Sequence, residues 1–200
     1  MKGSFVILSF FSAGILLGVL HLLPGSVDLS GASMGILCLL MALVGFSVGN
    51  NPDSLKNIRK LDRKVLLLPL MTLLGTFLGC TLAWFLVRGT RLSDLLAIGS
   101  GFGYYSLSSI LISESRGVAL GTLALLSNII REVMALLMAP LLKTACGPLA
   151  PIAAGGATTA DTTLPVISSV CGERYTVLSI YHGFIVDFSV PFLVTFFCAL

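Results

Sequence analysis

A polar, glycine-broken stretch interrupts one of the most apolar regions of the chain. Residues 155–165 read Gly-Gly-Ala-Thr-Thr-Ala-Asp-Thr-Thr-Leu-Pro and place Asp161 close to Thr158 and Thr162. Lipid tails offer no hydrogen bonds, so a helix can unwind at membrane depth only where protein or a wet cavity satisfies the freed backbone groups. A carboxylate at that depth costs on the order of a few kcal/mol and normally faces a bundle interior or a solute path. The stretch therefore predicts a solute-binding site in a transporter.

A second polar group lies within the apolar run over residues 117–142 and consists of Asn128, Arg131 and Glu132. Positions i, i+3 and i+4 share one face of a helix, so these side chains are predicted to form a single patch. Opposite charges in a membrane are costly unless they pair or bind something. Two interpretations remain open, a ligand-binding patch or an Arg131–acid pair that only holds two helices together.

Alternating glycines mark a third unusual stretch, Gly-Ser-Gly-Phe-Gly-Tyr-Tyr-Ser-Leu-Ser-Ser over residues 99–109. This composition is poor for an uninterrupted lipid-facing helix and favours an unwound or re-entrant element that lines a cavity. Tyr105 and Ser106 are its candidate hydrogen-bond partners for a solute. The Gly-x-Gly-x-x-Gly spacing of a dinucleotide-binding loop is absent.

The last apolar run, residues 176–200, holds His182 and Asp187. They are five positions apart and point in different directions, so both can face one ligand only if the helix bends, as Pro191 permits. His182 is a candidate site residue, although a lone membrane histidine is more often a packing or hydrogen-bonding group than a proton relay.

Two half-helices, residues 148–154 and 163–171, are predicted to flank the unwound stretch around Asp161. Pro165 is tolerated in the first turn of the second, where its missing N–H has no partner anyway. Free N–H groups and the positive dipole end at such a break would attract a carboxylate, whereas Asp161 would attract a cation. The competing interpretation is that Asp161 only caps its own helix.

The composition is that of an integral membrane protein, with 10% charged residues, 56% hydrophobic residues and a mean hydropathy of +1.03. The net charge of +3 does not indicate nucleic-acid binding, because most basic residues lie in one loop. The five cysteines are scattered without metal-ligand spacing and are predicted to be packing residues. No metal or cofactor is implied.

The predicted fold is all-α and polytopic, with about seven hydrophobic segments. These are residues 4–23, 33–49, 65–87, 95–113, 117–142, 148–171 and 176–200. The basic loop 50–64 is predicted to stay in the cytoplasm, which puts the N-terminus inside as well. A cleaved signal at the N-terminus is the less favoured alternative, because its apolar run is long and no clear cleavage site follows.

The second half of the chain resembles the bacterial lysine exporter family of the LysO type. The matching motifs are Ser100-Gly101-Phe102-Gly103-Tyr104-Tyr105-Ser106-Leu107-Ser108, Asn128 with Arg131-Glu132, Gly156-Ala157-Thr158 through Asp161 with Thr163-Leu164-Pro165-Val166, and His182-Gly183-Phe184-Ile185. The resemblance implies export of L-lysine and of toxic analogues such as thialysine across the bacterial inner membrane. It also implies that Asp161 matches an acid needed for transport.

Two departures from the family pattern bear on these expectations. Ile129 stands where the resemblance implies an acid. The chain therefore lacks one expected carboxylate, which is either part of the family's cation site or a group that binds the coupling ion. The chain also lacks counterparts of the family's first spans, and seven segments do not divide into the equal halves of an inverted-repeat, antiporter-like transporter. We therefore expect either a small membrane subunit that supplies the missing spans or a homo-oligomer.

The functional prediction is export of lysine by alternating access, coupled to antiport of H⁺ or Na⁺. Asp161 and Glu132 would bind the ammonium groups, and Arg131 or the N–H groups near Thr162 would receive the carboxylate. Alternatives are a sodium/proton exchanger, an exchanger of another cationic amino acid, and a scaffold subunit without transport. An enzyme is not favoured, since the Gly-x-Ser-x-Gly and His-Glu-x-x-His motifs are absent.

Overall fold

The computed structural model describes residues 63–200 except residue 88, and only isolated positions of the first 62 residues. The described part is helical and contains no strand. Its helices are α1 Leu68–Leu86, α2 Leu92–Gly99, α3 Tyr105–Arg116, α4 Val118–Cys146, α5 Ala150–Gly155, α6 Leu164–Cys171 and α7 Thr176–Ala199. The predicted segments 4–23 and 33–49, and nearly all of the basic loop 50–64, lie outside the described residues.

Three helices of the described part are long and apolar enough to cross a membrane, namely Val65–Leu86, Val118–Cys146 and Glu173–Ala199. Spanning takes about 20 apolar residues, and these ranges contain 22, 29 and 27 residues. Their outward faces are apolar, as Phe85 and Phe188 show with exposed fractions of 69% and 64%. A soluble protein would not leave so many large apolar side chains in contact with water. The chain is therefore a helical membrane protein, whereas the count of about seven spans stays a prediction.

Between the first two of these helices the chain breaks where alternating glycines predict an interruption. Helix α2 ends at Gly99, α3 begins at Tyr105, and the connecting residues turn sharply. Phe102 has φ 46° and Gly103 has φ 98°, and both values lie in the left-handed region that side chains with a Cβ disfavour. Whether this element crosses the bilayer or re-enters it stays a prediction.

A second break follows α4. Helix α5 ends at Gly155, a 3-10 turn covers Gly156–Ala160, and α6 begins at Leu164 with Pro165 in its first turn. The half-helix α6 has no side-chain hydrogen bond at its N-cap, Thr163. The Asp161 carboxylate accepts the N–H of Thr162, one residue before this N-cap. That Asp161 does more than bond to the backbone at the start of this half-helix stays a prediction.

Small residues let these elements pack closely. A Cβ on Gly121 of α4 would lie 2.7 Å from the carbonyl oxygen of Ser109 in α3, so only glycine allows this approach. Around the first break, Ala97, Phe102, Ile112 and Val190 form a fully buried cluster. A smaller buried cluster joins Ile152 and Ile167 of the second break to Leu178 of α7.

Candidate functional site

The two breaks cross each other and are joined by a main-chain hydrogen bond. The N–H of Ala157 donates to the carbonyl oxygen of Phe102 at 2.9 Å. A Cβ on Gly156 would lie 2.2 Å from that same oxygen, and a Cβ on Gly103 would lie 3.2 Å from the carbonyl oxygen of Gly155. The glycines of both motifs are therefore needed for the unwound segments to touch.

Asn128 holds the first break to α4. Its Oδ1 accepts the N–H of Gly103 at 2.8 Å, and its Nδ2 donates to the carbonyl oxygens of Ile98 at 3.2 Å and Ala124 at 2.9 Å. The side chain is 3% exposed. Its amide hydrogen-bonds to these backbone groups, so Asn128 holds the first break in place against α4.

Arg131 holds the second break. Its Nε donates to the carbonyl oxygen of Ala154 at 3.0 Å, and its two other guanidinium nitrogens donate to Ala153 and to the hydroxyl of Thr76. The guanidinium also lies over the ring of Phe102, 5.6 Å from its centroid. These partners are the last carbonyls of α5, where a positive charge is favourable. Among the described residues no acid pairs with Arg131, and the guanidinium satisfies a helix end.

His182 fastens α7 to the second break. The ring is 0% exposed, with Nε2 2.9 Å from the hydroxyl of Thr72 on α1 and Nδ1 3.1 Å from that of Thr159. Next to it, a Cβ on Gly183 would lie 2.4 Å from the backbone nitrogen of Ala160. His182 is thus a packed, hydrogen-bonded group, and Asp187 points elsewhere, as their spacing predicts.

A cavity of about 320 Å³ opens on the other side of the crossing. Three carboxylates line it, Glu132 from α4, Asp161 from the second break and Asp187 from α7. Glu132 and Asp187 lie at the midpoints of Val118–Cys146 and Thr176–Ala199. The cavity thus lies near the middle of two helices that are each long enough to span a membrane.

Hydroxyl groups complete the lining. They come from Tyr104, Tyr105 and Ser106 at the start of α3 and from Thr158 and Thr162 in the second break. Among the described residues of the lining, none carries a positive charge, so the cavity favours cations. Asp161 is exposed, and it lines the cavity.

The structure brings together six of the candidate site residues and separates three. Asp161, Glu132, Thr158, Thr162, Ser106 and Tyr105 line the cavity. Asn128, Arg131 and His182 lie behind it and bond to the backbone or to other side chains. Sequence reasoning selected His182 and left out Asp187, although an acid in an apolar run was itself a signal.

The three carboxylates are spread around the cavity. Within residues 63–200 as described, no group of three His, Cys, Asp or Glu side chains is arranged to hold a metal ion. The carboxylates come from three different elements, so they do not form a compact metal site.

Comparisons with known proteins agree with this picture. A family model described as lysine exporter LysO matches residues 8–198. Lysine exporter LysO of Escherichia coli strain K12 is 36% identical over 173 residues, covering 84% of this chain and 55% of that protein. A Haemophilus influenzae protein, provisionally described as a lysine exporter, is 31% identical over 168 residues, covering 84% of this chain and 85% of that protein. No solved structure shows a significant match.

The chain spans about half the length of the E. coli relative. The family model nevertheless covers nearly all residues of this chain, including both breaks and the three carboxylates of the cavity. The chain belongs to the lysine exporter LysO family.

Proposed function

We propose that this chain exports L-lysine and close analogues from the cytoplasm across the inner membrane. The observation that carries the proposal is a cavity near the middle of two spanning helices, lined by three carboxylates and no basic group among the described residues. Acids are rare in membrane helices and mark the paths of cations or protons. The E. coli relative is named for lysine export, which agrees with such a path.

Lysine carries two ammonium groups and one carboxylate, and the cavity offers partners for both kinds of charge. Asp161 and Glu132 bind an ammonium group, with the hydroxyl of Thr162 beside them. The carboxylate is received at the N-terminus of α3, where Tyr105 and Ser106 present hydroxyls and the helix dipole is positive. The sequence predicted that Arg131 could bind the carboxylate. The start of α3 takes this role instead, because the guanidinium of Arg131 donates to the carbonyl groups at the end of α5. A volume of about 320 Å³ suits a small organic molecule.

Transport proceeds by alternating access coupled to an ion. Protonation of Asp161 or Glu132 from the side of high proton activity weakens the attraction for lysine and releases it, which gives antiport. Sodium is the other candidate coupling ion, with carbonyl groups at the breaks as ligands. In this arrangement the chain is a multi-pass protein with a cytoplasmic N-terminus, and it works with a small membrane subunit or with further copies of itself.

Substitution of Asp161 tests the proposal. Inside-out membrane vesicles that contain the wild-type chain are expected to take up radiolabelled lysine when an ion gradient is applied. Asp161→Asn removes the negative charge at nearly constant size, so uptake should fall at least about tenfold, as expected when a favourable charge contact of about 1.4 kcal/mol or more is lost.

Glu114→Gln is the matched control, because Glu114 is an exposed acid of α3 outside the cavity lining. It should leave lysine uptake unchanged. Wild-type vesicles that move protons or sodium in response to a gradient but ignore lysine would contradict lysine export and favour a sodium/proton exchanger. Equal lysine uptake by wild type and Asp161→Asn would remove the carboxylate from the mechanism.

A further inference from the structure

Asp187 is an acid of the cavity to which the proposed lysine site assigns no role. It lies at the midpoint of α7, in a run of large apolar side chains. An ionisable group at such a position is costly unless it is used. Pro191, four residues later, has no N–H to donate to the carbonyl oxygen of Asp187. The Asp187 side chain therefore adds a negative charge to the wall that α7 contributes to the cavity.

Phe184 adds an apolar surface next to this acid. It lies three residues before Asp187, on the same face of α7, and its side chain also lines the cavity. An aliphatic chain that leads to Asp187 can therefore pack against the ring. An acid beyond an apolar wall suits the end of a side chain such as that of lysine, whose four methylene groups precede a charged amine.

Different elements form the walls of the cavity. Glu132 comes from α4, and Tyr105 and Ser106 come from the start of α3, whose N-terminus is suited to a carboxylate. Asp161 comes from the second break, whereas Asp187 comes from α7 together with Phe184. The wall that α7 contributes thus pairs an acid with an apolar ring, on a different element from the other two acids.

We infer that Asp187 binds the side-chain ammonium of a dicationic amino acid, while Asp161 and Glu132 bind the α-ammonium group. Phe184 accommodates the methylene groups between them. Asp187 is then the residue that selects lysine over amino acids with a neutral side chain. This inference rests on the proposed function, because it assigns one end of the same substrate to a residue of the same cavity.

Competition in inside-out vesicles tests the assignment. Radiolabelled lysine is taken up in the presence of unlabelled lysine or of Nε-acetyl-lysine, which keeps the α-amino acid group and loses the side-chain charge. The wild type should prefer lysine by at least about tenfold, which corresponds to about 1.4 kcal/mol. Asp187→Asn should raise the half-saturating lysine concentration about tenfold and leave that of Nε-acetyl-lysine nearly constant, so the preference is largely lost.

A second variant, Asp187→Glu, should change which substrate is preferred, and a purely structural role of Asp187 would not produce such a change. Asp187→Glu moves the carboxylate one methylene further into the cavity, so it should favour ornithine, whose side chain is one methylene shorter than that of lysine. The ratio of ornithine to lysine uptake is expected to rise several-fold, because the longer side chain of glutamate closes the gap that the missing methylene of ornithine leaves. Ser189→Ala, on the same helix outside the cavity lining, is the control and should behave as the wild type.

The outcomes separate the inference from the proposed function. If wild-type vesicles fail to transport lysine, the proposed function itself is wrong. If the wild type transports lysine and Asp187→Asn keeps its full preference over Nε-acetyl-lysine, only the role of Asp187 is overturned. Should Asp187→Asn not reach the membrane, Asp187→Glu decides, and an unchanged ornithine-to-lysine ratio overturns the inference.

Discussion

At the scale of single residues, the polar groups of this membrane protein divide into those that face the cavity and those that hold the backbone. Glu132 and Arg131 are neighbours in sequence, yet Glu132 lines the cavity and Arg131 bonds to the end of α5. The arginine has donors enough to satisfy two carbonyl groups and a hydroxyl at once. One charged residue of a membrane helix can thus stabilise the fold while the next residue in the sequence faces the cavity.

Arg131→Gln tests this structural role. The shorter, neutral side chain leaves the carbonyl oxygens of Ala153 and Ala154 without donors, which should lower the free energy of unfolding by at least about 2 kcal/mol. The thermal midpoint of the purified protein in detergent measures the effect. Arg131→Gln protein that still folds should have a half-saturating lysine concentration close to that of the wild type, because Arg131 is outside the cavity lining.

Arg91→Gln, an exposed arginine before α2, is the control and should leave the thermal midpoint unchanged. A variant of Arg131 that folds normally but has lost lysine affinity would show that the guanidinium contacts the substrate after all.

At the scale of elements, the site depends on two breaks that cross at one main-chain hydrogen bond. The N–H of Ala157 bonds to the carbonyl oxygen of Phe102, which a Cβ on Gly156 would approach to 2.2 Å. A Cβ on Gly103 would crowd the carbonyl oxygen of Gly155 at 3.2 Å. Asn128 fixes one break and Arg131 the other, both from α4. The helix that contributes Glu132 to the cavity therefore also sets the distance between the breaks.

Gly156→Ala is expected to disrupt this crossing. Gly156 has φ 66°, and a Cβ there would lie 2.2 Å from the carbonyl oxygen of Phe102. The strained backbone alone costs on the order of 1–3 kcal/mol, and the contact adds to it. Lysine uptake by inside-out vesicles and the thermal midpoint should therefore both fall.

The control for this variant is Gly79→Ala in α1. Gly79 is helical, and a Cβ there meets no atom within 4 Å. The change should be neutral or slightly stabilising, because alanine favours the helix by up to about 1 kcal/mol. Wild-type transport by Gly156→Ala would mean that the two breaks need not touch.

At the scale of the whole molecule, large apolar faces of the described helices point outward. On α7, Phe188, Phe192 and Phe196 have exposed fractions of 64%, 63% and 57%. Lipid or another membrane segment can cover such a face. The chain spans about half the length of its E. coli relative, and inverted-repeat transporters combine two comparable halves.

We therefore expect the transporting unit to contain more than the described helices of one chain, either a small membrane subunit or a second copy. Native mass measurement after extraction in a mild detergent or in lipid nanodiscs should show a complex heavier than the 21.0 kDa chain. Reconstitution of a homogeneous monomer that transports lysine at the rate of the native membrane would contradict this expectation.

The sequence alone established the class of the protein and the places where its helices break. Hydropathy identifies a membrane chain, because the cost of transferring each residue to lipid depends on that residue alone. Glycine and proline mark the interruptions near Gly103 and Gly156 because they act on the local backbone. The cost of a carboxylate at membrane depth likewise singled out Asp161 and Glu132.

Only the tertiary structure decided which polar groups face the cavity. Asn128, Arg131 and His182 share residue types with binding sites, but their partners lie on segments that sequence spacing does not bring together. His182 contacts Thr72, 110 positions away in the chain, and Asp187 lies on the opposite side of the same helix, in the cavity. The direction in which a side chain points depends on how distant helices pack, and that packing is a property of the assembled fold.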